Sequence, residues 1–216
     1  VCPSRFGEDN TVFSWVGETL LGTGSPSVLT ELPFLLSTQT GPEQEEDPNA
    51  VGRIDMVLIN QHSPGDLKWC ALEMQAVYFS GPAMTQEFAR LKTCQTEDRL
   101  WPTKIRRPDF RSSGPKRLMP QLQIKVPTIS RWGKKMAVVI DKAFWLSLAP
   151  MTEVNHVSNC DIAWFVVDYT PTADGRFKLV RHALHLTTLD RAVEGLTGGI
   201  PTSLDAFESK IREKLG

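Results

Sequence analysis

Three polar residues interrupt two apolar runs of this chain: Asp55 in RIDMVLINQ (53–61), and Glu73 and Gln75 in KWCALEMQAVYFSG (68–81). Side chains alternate along a strand, so Asp55 shares a face with Arg53 and Val57, and Glu73 and Gln75 share one with Trp69 and Val77. If the two runs pair, Asp55 and Glu73 converge on one face. Two carboxylates held together there repel each other and are costly to desolvate unless a cation lies between them. Oxygen ligands with some access to solvent suit Mg²⁺, which keeps several waters and takes one or two carboxylates plus a substrate phosphate. The bland alternative pairs Asp55 with Arg53 or another base and turns Glu73 and Gln75 to solvent.

The elements that must position these residues follow from punctuation. Between the two runs lies HSPGD, a short Pro-Gly turn, so an antiparallel hairpin is the simplest connection. Upstream, DNTVFSWVGETL (9–20) predicts a short helix and SVLTELPFLL a strand. Residues 38–50 have no hydrophobic period and predict an exposed, mobile acidic loop. Downstream, PAMTQEFARLKTC predicts a helix, KMAVVIDKAFWLSL and CDIAWFVVDY two buried strands with room for a short helix after the first, and SLDAFESKIREKL a C-terminal amphipathic helix; RFKLVRHALHLTTLDRAV fits either strand or helix. This order predicts an α/β domain, with α+β as the alternative, built on a mixed central sheet flanked by helices.

A chain of 216 residues that is 41% hydrophobic can bury one sizeable core. Its longest apolar run is far short of a membrane span and its N-terminus lacks the order of a secretory signal, so an intracellular protein is expected. Cys2, Cys70, Cys94 and Cys160 are too scattered for a CxxC zinc motif and are expected to be reduced. The chain begins Val-Cys-Pro, which reads as a processed or truncated piece of a longer protein. A net charge of −1 conceals an asymmetry: residues 1–50 carry eight acids and one base, Arg5, whereas 99–135 carry eleven bases against Asp109 alone. In the basic stretch, charges alternate with Pro, Gly, Ser, Phe110 and Trp132, which predicts an irregular, partly extended segment following a polyanion, although a solvated face has the same charge signature. Its candidate DNA contacts are Arg106, Arg107, Arg111, Lys116, Arg117, Lys125, Arg131, Lys134 and Lys135.

Asp55, seventeen intervening residues and then Glu-x-Gln outline a PD-(D/E)xK nuclease core whose last position is Gln75 instead of lysine. CALEMQAVYFSGPAM also resembles the catalytic strand of NotI-type restriction endonucleases, VCPSR their Cys-Pro-x-Arg, and AWFVVDYTP their late Ala-Trp strand. The resemblance covers nearly the whole chain. It implies a Mg²⁺-dependent endonuclease acting on double-stranded DNA as a homodimer in the cytoplasm of a prokaryotic cell. Asp55 and Glu73 become the metal ligands and catalytic acids, Gln75 replaces the usual lysine, and Glu31, ahead of Glu18, is an additional acid. It further implies one nuclease domain over 1–216, with a catalytic half at 1–98, a DNA-contacting segment at 99–135, and strands and a helix at 136–216. Cys2 matches the last ligand of the family's N-terminal four-cysteine iron site, and without the others no such metal is expected. The alternative is a binder of the same fold that has lost catalysis.

Other constellations are weaker. His182 and His185 have no third ligand nearby, GTGSPS (22–27) lacks the lysine of a phosphate loop, and Ser112 and Ser113 lack a His-Asp partner. Trp101, Phe110 and Trp132 have faces that stack on bases, though tryptophans are more often core.

Overall fold

Alternation in the first half and continuous apolar runs in the second divide the strands into two kinds, and one sheet contains both. The computed structural model describes residues 3–36, 50–61, 65, 67–81, 85–94, 105–198 and 202–215. A 3-10 segment (Pro3–Asn10) leads into α1 (Thr11–Val16) and a π turn (Gly17–Leu21), then β1 (Ser27–Leu36), β2 (Ala50–Asn60), β3 (Lys68–Met74) and a short β4 (Tyr78–Phe79). Next come α2 (Thr85–Thr93), β5 (Pro108–Asp109), α3 (Phe110–Ser113), a second π turn (Gly114–Leu118) and α4 (Met119–Arg131). The chain continues through β6 (Met136–Asp141), α5 (Lys142–Ser147), β7 (Ile162–Pro171), β8 (Phe177–Thr187), α6 (Leu189–Thr197) and α7 (Leu204–Leu215).

Six strands form a mixed sheet in the order β1-β2-β3-β6-β7-β8. The pairs β1/β2, β2/β3 and β7/β8 are antiparallel, whereas β3/β6 and β6/β7 are parallel. Every residue of β6 is buried, as are the first six of β7, because helices cover both faces of these central strands. One face packs Leu118, Leu122, Val126, Ile129 and Phe144 from α4, α5 and the preceding turn against Val138 and Trp164. The other packs Phe6, Val12 and Val16 from the N-terminal helices against Leu72, Ala137 and Phe165. The predicted α/β class and mixed sheet are both present, and the parallel β3/β6 pair joins the first segment of the chain to the third.

Two segments differ from expectation. The basic stretch is largely helical from Phe110 to Arg131. Leu118, Leu122, Val126 and Ile129 recur at helical spacing and bury a stripe, while Pro115 and Pro120 occupy first turns, where proline costs little. The ambiguous run at 176–193 is strand and then helix: β8 ends at Thr187, and Leu189 starts α6. The expected acidic loop at 38–50 lies outside the described residues except for Ala50, which opens β2.

At the N-terminus, Arg5 donates to Glu8 and to the Phe177 carbonyl and lies over the Tyr169 ring, while Glu8 accepts from the Leu179 N–H. The Arg5 of VCPSR therefore fastens the N-terminal segment to β8.

Candidate active site

The β2/β3 register pairs Met56 with Leu72 and Val57 with Ala71; one step further, Asp55 lies across from Glu73. Opposed residues of an antiparallel pair share a face, and Val57 and Ala71 place this one against α4. Met56, Leu58, Cys70 and Leu72 fill the opposite face, so the apolar members of both runs fix which way the two carboxylates point. Glu73 is only 2% exposed, whereas the Asp55 side chain keeps 43% of its surface in solvent. The pair is thus closed at one end and open at the other.

Lys125 reaches the pair from the inner stripe of α4. Its Nζ donates to Asp55 Oδ1 at 3.0 Å, Glu73 Oε2 at 2.7 Å and Gln121 Oε1 at 2.8 Å. An ammonium has three donors, and all three are used. Two ionised carboxylates and one ammonium leave the cluster with one net negative charge. Burial, followed by the Asp55 charge, pushes the Glu73 carboxyl up to about 7 against the opposing pull of Lys125. Burial opposes the charge on Lys125, but Glu73 and Asp55 together outweigh it and hold the ammonium above its ordinary value.

That behaviour has a measurable consequence in metal-free protein. The folded pKa of Glu73 lies above its ordinary 4.5, so its favourable contribution is fully present below that value and lost as the pH rises through about 7. Glu73→Gln imitates the protonated form. Urea denaturation in EDTA is therefore expected to show the variant gaining stability relative to wild type between about pH 5 and about pH 8. A difference that does not change with pH contradicts a buried, titrating Glu73.

The donor chemistry fits a hard divalent cation: two carboxylates from adjacent strands, net negative charge and an open side. Among the described residues no group of three or more His, Cys, Asp or Glu side chains is placed to hold a metal, so water and phosphate are left to complete a coordination shell. Glu31 lies in the same cross-strand row, between Thr30↔Met56 and Leu32↔Ile54, but its backbone is left-handed, with a φ of 55°, and the residue is exposed. Glu18 is paired with Arg181. Gln75 is buried; its N–H extends the ladder to the Val139 carbonyl at 3.0 Å, and its Nε2 donates to the Ala76 carbonyl at 2.6 Å.

With this geometry in view, comparison with known families is decisive: the model of the restriction endonuclease NotI family matches residues 1–179. The chain belongs to the NotI restriction endonuclease family. Among curated proteins, none matches the sequence. Members of the NotI family are restriction endonucleases, so the coarse activity is that of a DNA-cleaving hydrolase acting on double-stranded DNA. The matched region contains Asp55, Glu73, Gln75 and Lys125 and ends in β8, before α6 and α7.

In this NotI-family chain the candidate DNA contacts separate by burial. Lys125, expected on DNA, is instead inside the carboxylate cluster, because its place on α4 falls within the apolar stripe. Arg106 is also internal, with a side chain 5% exposed and bonded to Glu87 Oε1 at 2.8 Å. It packs under Gly81, whose φ of 107° favours glycine and where a Cβ would approach Arg106 Nη1 to 2.8 Å. Lys134 donates to the Leu67 carbonyl, and Lys135 to those of Ser158 and Cys160. Arg107, Arg111, Lys116, Arg117 and Arg131 are exposed.

The β4/β5 ribbon, a separate two-stranded sheet whose β4 begins four residues after β3 ends, stands beside several of these bases. Tyr78 and Phe79 are exposed there, and Arg117 stacks on the Tyr78 ring at 3.7 Å. Ser113 Oγ accepts from the Tyr78 N–H and donates to the Asp109 carbonyl, while Asp109 caps α3 through the Ser112 N–H. Both serines thus have structural partners. Tyr78 and Phe79 were not singled out by sequence; two aromatics just past an apolar strand, before Ser-Gly, were the available signal. His185 bonds Glu153 at 2.8 Å and stacks on Trp145. Cys70, whose thiol burial pushes up to about 12, is an inert core residue. Cys2 and Trp101 lie outside the described residues.

Proposed function

We propose that the chain hydrolyses phosphodiester bonds in double-stranded DNA at a specific site, with Mg²⁺ held by Asp55 and Glu73. The observation that carries this reading is the facing pair itself, one carboxylate buried and one open, with a net charge that calls for a cation. Mg²⁺ bound there supplies Lewis acidity toward a phosphoryl oxygen and toward the attacking water. Glu73 fixes the buried side of the site through its place in β3, and Asp55 holds the open side, where a DNA phosphate arrives. Gln75 keeps a carboxamide at the end of the strand, a neutral group able to orient water but without charge. In the net reaction water adds to phosphorus and the P–O3′ bond breaks. The water's hydroxyl remains on the 5′-phosphate, and its proton ends on the 3′ oxygen.

Arg107, Arg111, Lys116, Arg117 and Arg131 meet the DNA, with arginine best suited to the guanine O6 and N7 edge and lysine to phosphates. Cutting both strands of a palindromic site calls for a two-fold homodimer. A restriction enzyme of this kind works in the cytoplasm of a prokaryotic cell; among the described residues no helix is long and apolar enough to cross a membrane.

Metal binding tests the site directly. Mn²⁺ titration followed by electron paramagnetic resonance is expected to show saturable binding to wild type and loss of that component in Asp55→Asn/Glu73→Gln. Equal binding by both proteins sinks the assignment of these ligands. For the DNA surface, Lys116→Ala is expected to lower affinity evenly across sequences and to reduce the slope of log K against log salt by about 0.9, the share of one phosphate contact. An unchanged slope removes Lys116 from the interface.

A further inference from the structure

Position 75 carries a neutral side chain whose Nε2 is bonded to the Ala76 carbonyl, yet the Lys125 ammonium lies against Glu73 of the same strand, 2.7 Å from its Oε2. We infer that Lys125 supplies, from helix α4, the positive charge that the active site lacks at strand position 75, and that it serves the cleavage reaction. This inference rests on the reading of Asp55 and Glu73 as the catalytic pair.

Three observations carry it. First, Lys125 has a side chain only 7% exposed, on the inner stripe between Leu122 and Ile129, where an apolar residue would pack without any desolvation cost. Second, its partners are specific: both acids of the pair, and Gln121 one turn earlier on the same helix, which steadies the ammonium from behind. Third, Gln75 offers no substitute, since its Nε2 is committed to the Ala76 carbonyl.

The charges complete the argument. Without a metal, Lys125 offsets one of two facing carboxylates and keeps them together. When a divalent cation joins the cluster, its net charge changes from one negative to one positive, the complement of a single phosphodiester. A lysine stem has four flexible methylenes, so its ammonium can leave the carboxylate oxygens while the stem stays packed. It then stands beside the arriving phosphate and stabilises the charge that develops there.

The test uses four proteins: wild type, Lys125→Met, Gln75→Lys, and the double variant Gln75→Lys/Lys125→Met. Each is assayed for cleavage of plasmid DNA in Mg²⁺, for Mn²⁺ binding by paramagnetic resonance, and for thermal unfolding in EDTA. Lys125→Met is expected to cut at least about a hundredfold more slowly, the usual cost of losing one charge-stabilising donor. It should still bind Mn²⁺, and it should melt lower in EDTA because two facing carboxylates lose their counter-ion. Returning the ammonium from the strand in the double variant is expected to recover at least about tenfold in rate. A lysine that only supports the fold predicts no such recovery.

Wild-type rates in Lys125→Met overturn the inference, as does a folded double variant that binds Mn²⁺ and remains as slow as Lys125→Met. If Lys125→Met does not fold, the double variant decides: active supports, folded and inactive overturns. Wild type serves as the control that separates the two readings. Failure of wild type to cut in Mg²⁺ defeats the proposed function itself, whereas cutting by wild type and Lys125→Met alike defeats only the role of Lys125.

Discussion

Glu73→Ala is expected to reduce DNA cleavage by at least about a thousandfold while leaving the protein folded and able to bind DNA. The size follows from the position of the residue. Glu73 is the buried half of the carboxylate pair, and its loss removes a proposed metal ligand that Asp55, half in solvent, cannot replace. It also leaves Lys125 with Asp55 and Gln121 as its remaining acceptors. The proposed DNA surface around β4 and β5 has its own partners and should survive, so binding measured in Ca²⁺ should change little. Single-turnover cleavage of plasmid DNA reads the rate, and a gel-shift assay reads binding. Cleavage within tenfold of wild type removes Glu73 from the chemistry.

The second large effect is on the scaffold. Trp164→Ala is expected to destabilise the fold by about 3–5 kcal/mol, the range for truncating a large buried aromatic. Trp164 is fully buried in β7, packs on Trp145, and donates from Nε1 to Thr187 Oγ1 at 2.9 Å, so its loss opens a cavity and orphans a buried hydroxyl. The sheet register ties this to the site: Trp164 pairs with Val138, and Val138 pairs with Glu73. The row therefore runs from the tryptophan to the Glu73 carboxylate through a single intervening strand. A urea midpoint lowered by the corresponding amount checks the value, and an unchanged midpoint contradicts the packing described.

How much of this was legible in the sequence depended on whether burial followed from local pattern. The β2/β3 hairpin was legible because a short Pro-Gly turn separates two apolar runs, and the convergence of Asp55 and Glu73 follows from strand alternation once those runs pair. The central strands β6 and β7 were legible as continuous apolar runs, and α7 as an amphipathic period. Helix α4 was not, because Gly114, Pro115, Pro120 and Pro127 read as breakers, although the first three fall where a helix begins. Missing that helix hid its stripe, and with it the fact that Lys125 points inward.

Charge counting alone cannot distinguish a lysine that meets DNA from one that neutralises the interior. It therefore placed Arg106 and Lys125 on the same surface as Arg111 and Lys116. Only long-range geometry, in which residues 70 positions apart share a hydrogen bond, separates them. Conversely, Glu31 lies in the right cross-strand row, yet its left-handed backbone sets it apart from the pair, a local feature that no strand pattern reveals.

The most direct measurement is digestion of mixed genomic DNA by the wild-type chain with Mg²⁺ and, in parallel, with EDTA. Discrete fragments in Mg²⁺ and intact DNA in EDTA are the expected result, joining site-specific cleavage to a divalent metal. Intact DNA in both samples, from protein shown to be folded and bound to DNA, or fragments that persist in EDTA, would contradict it.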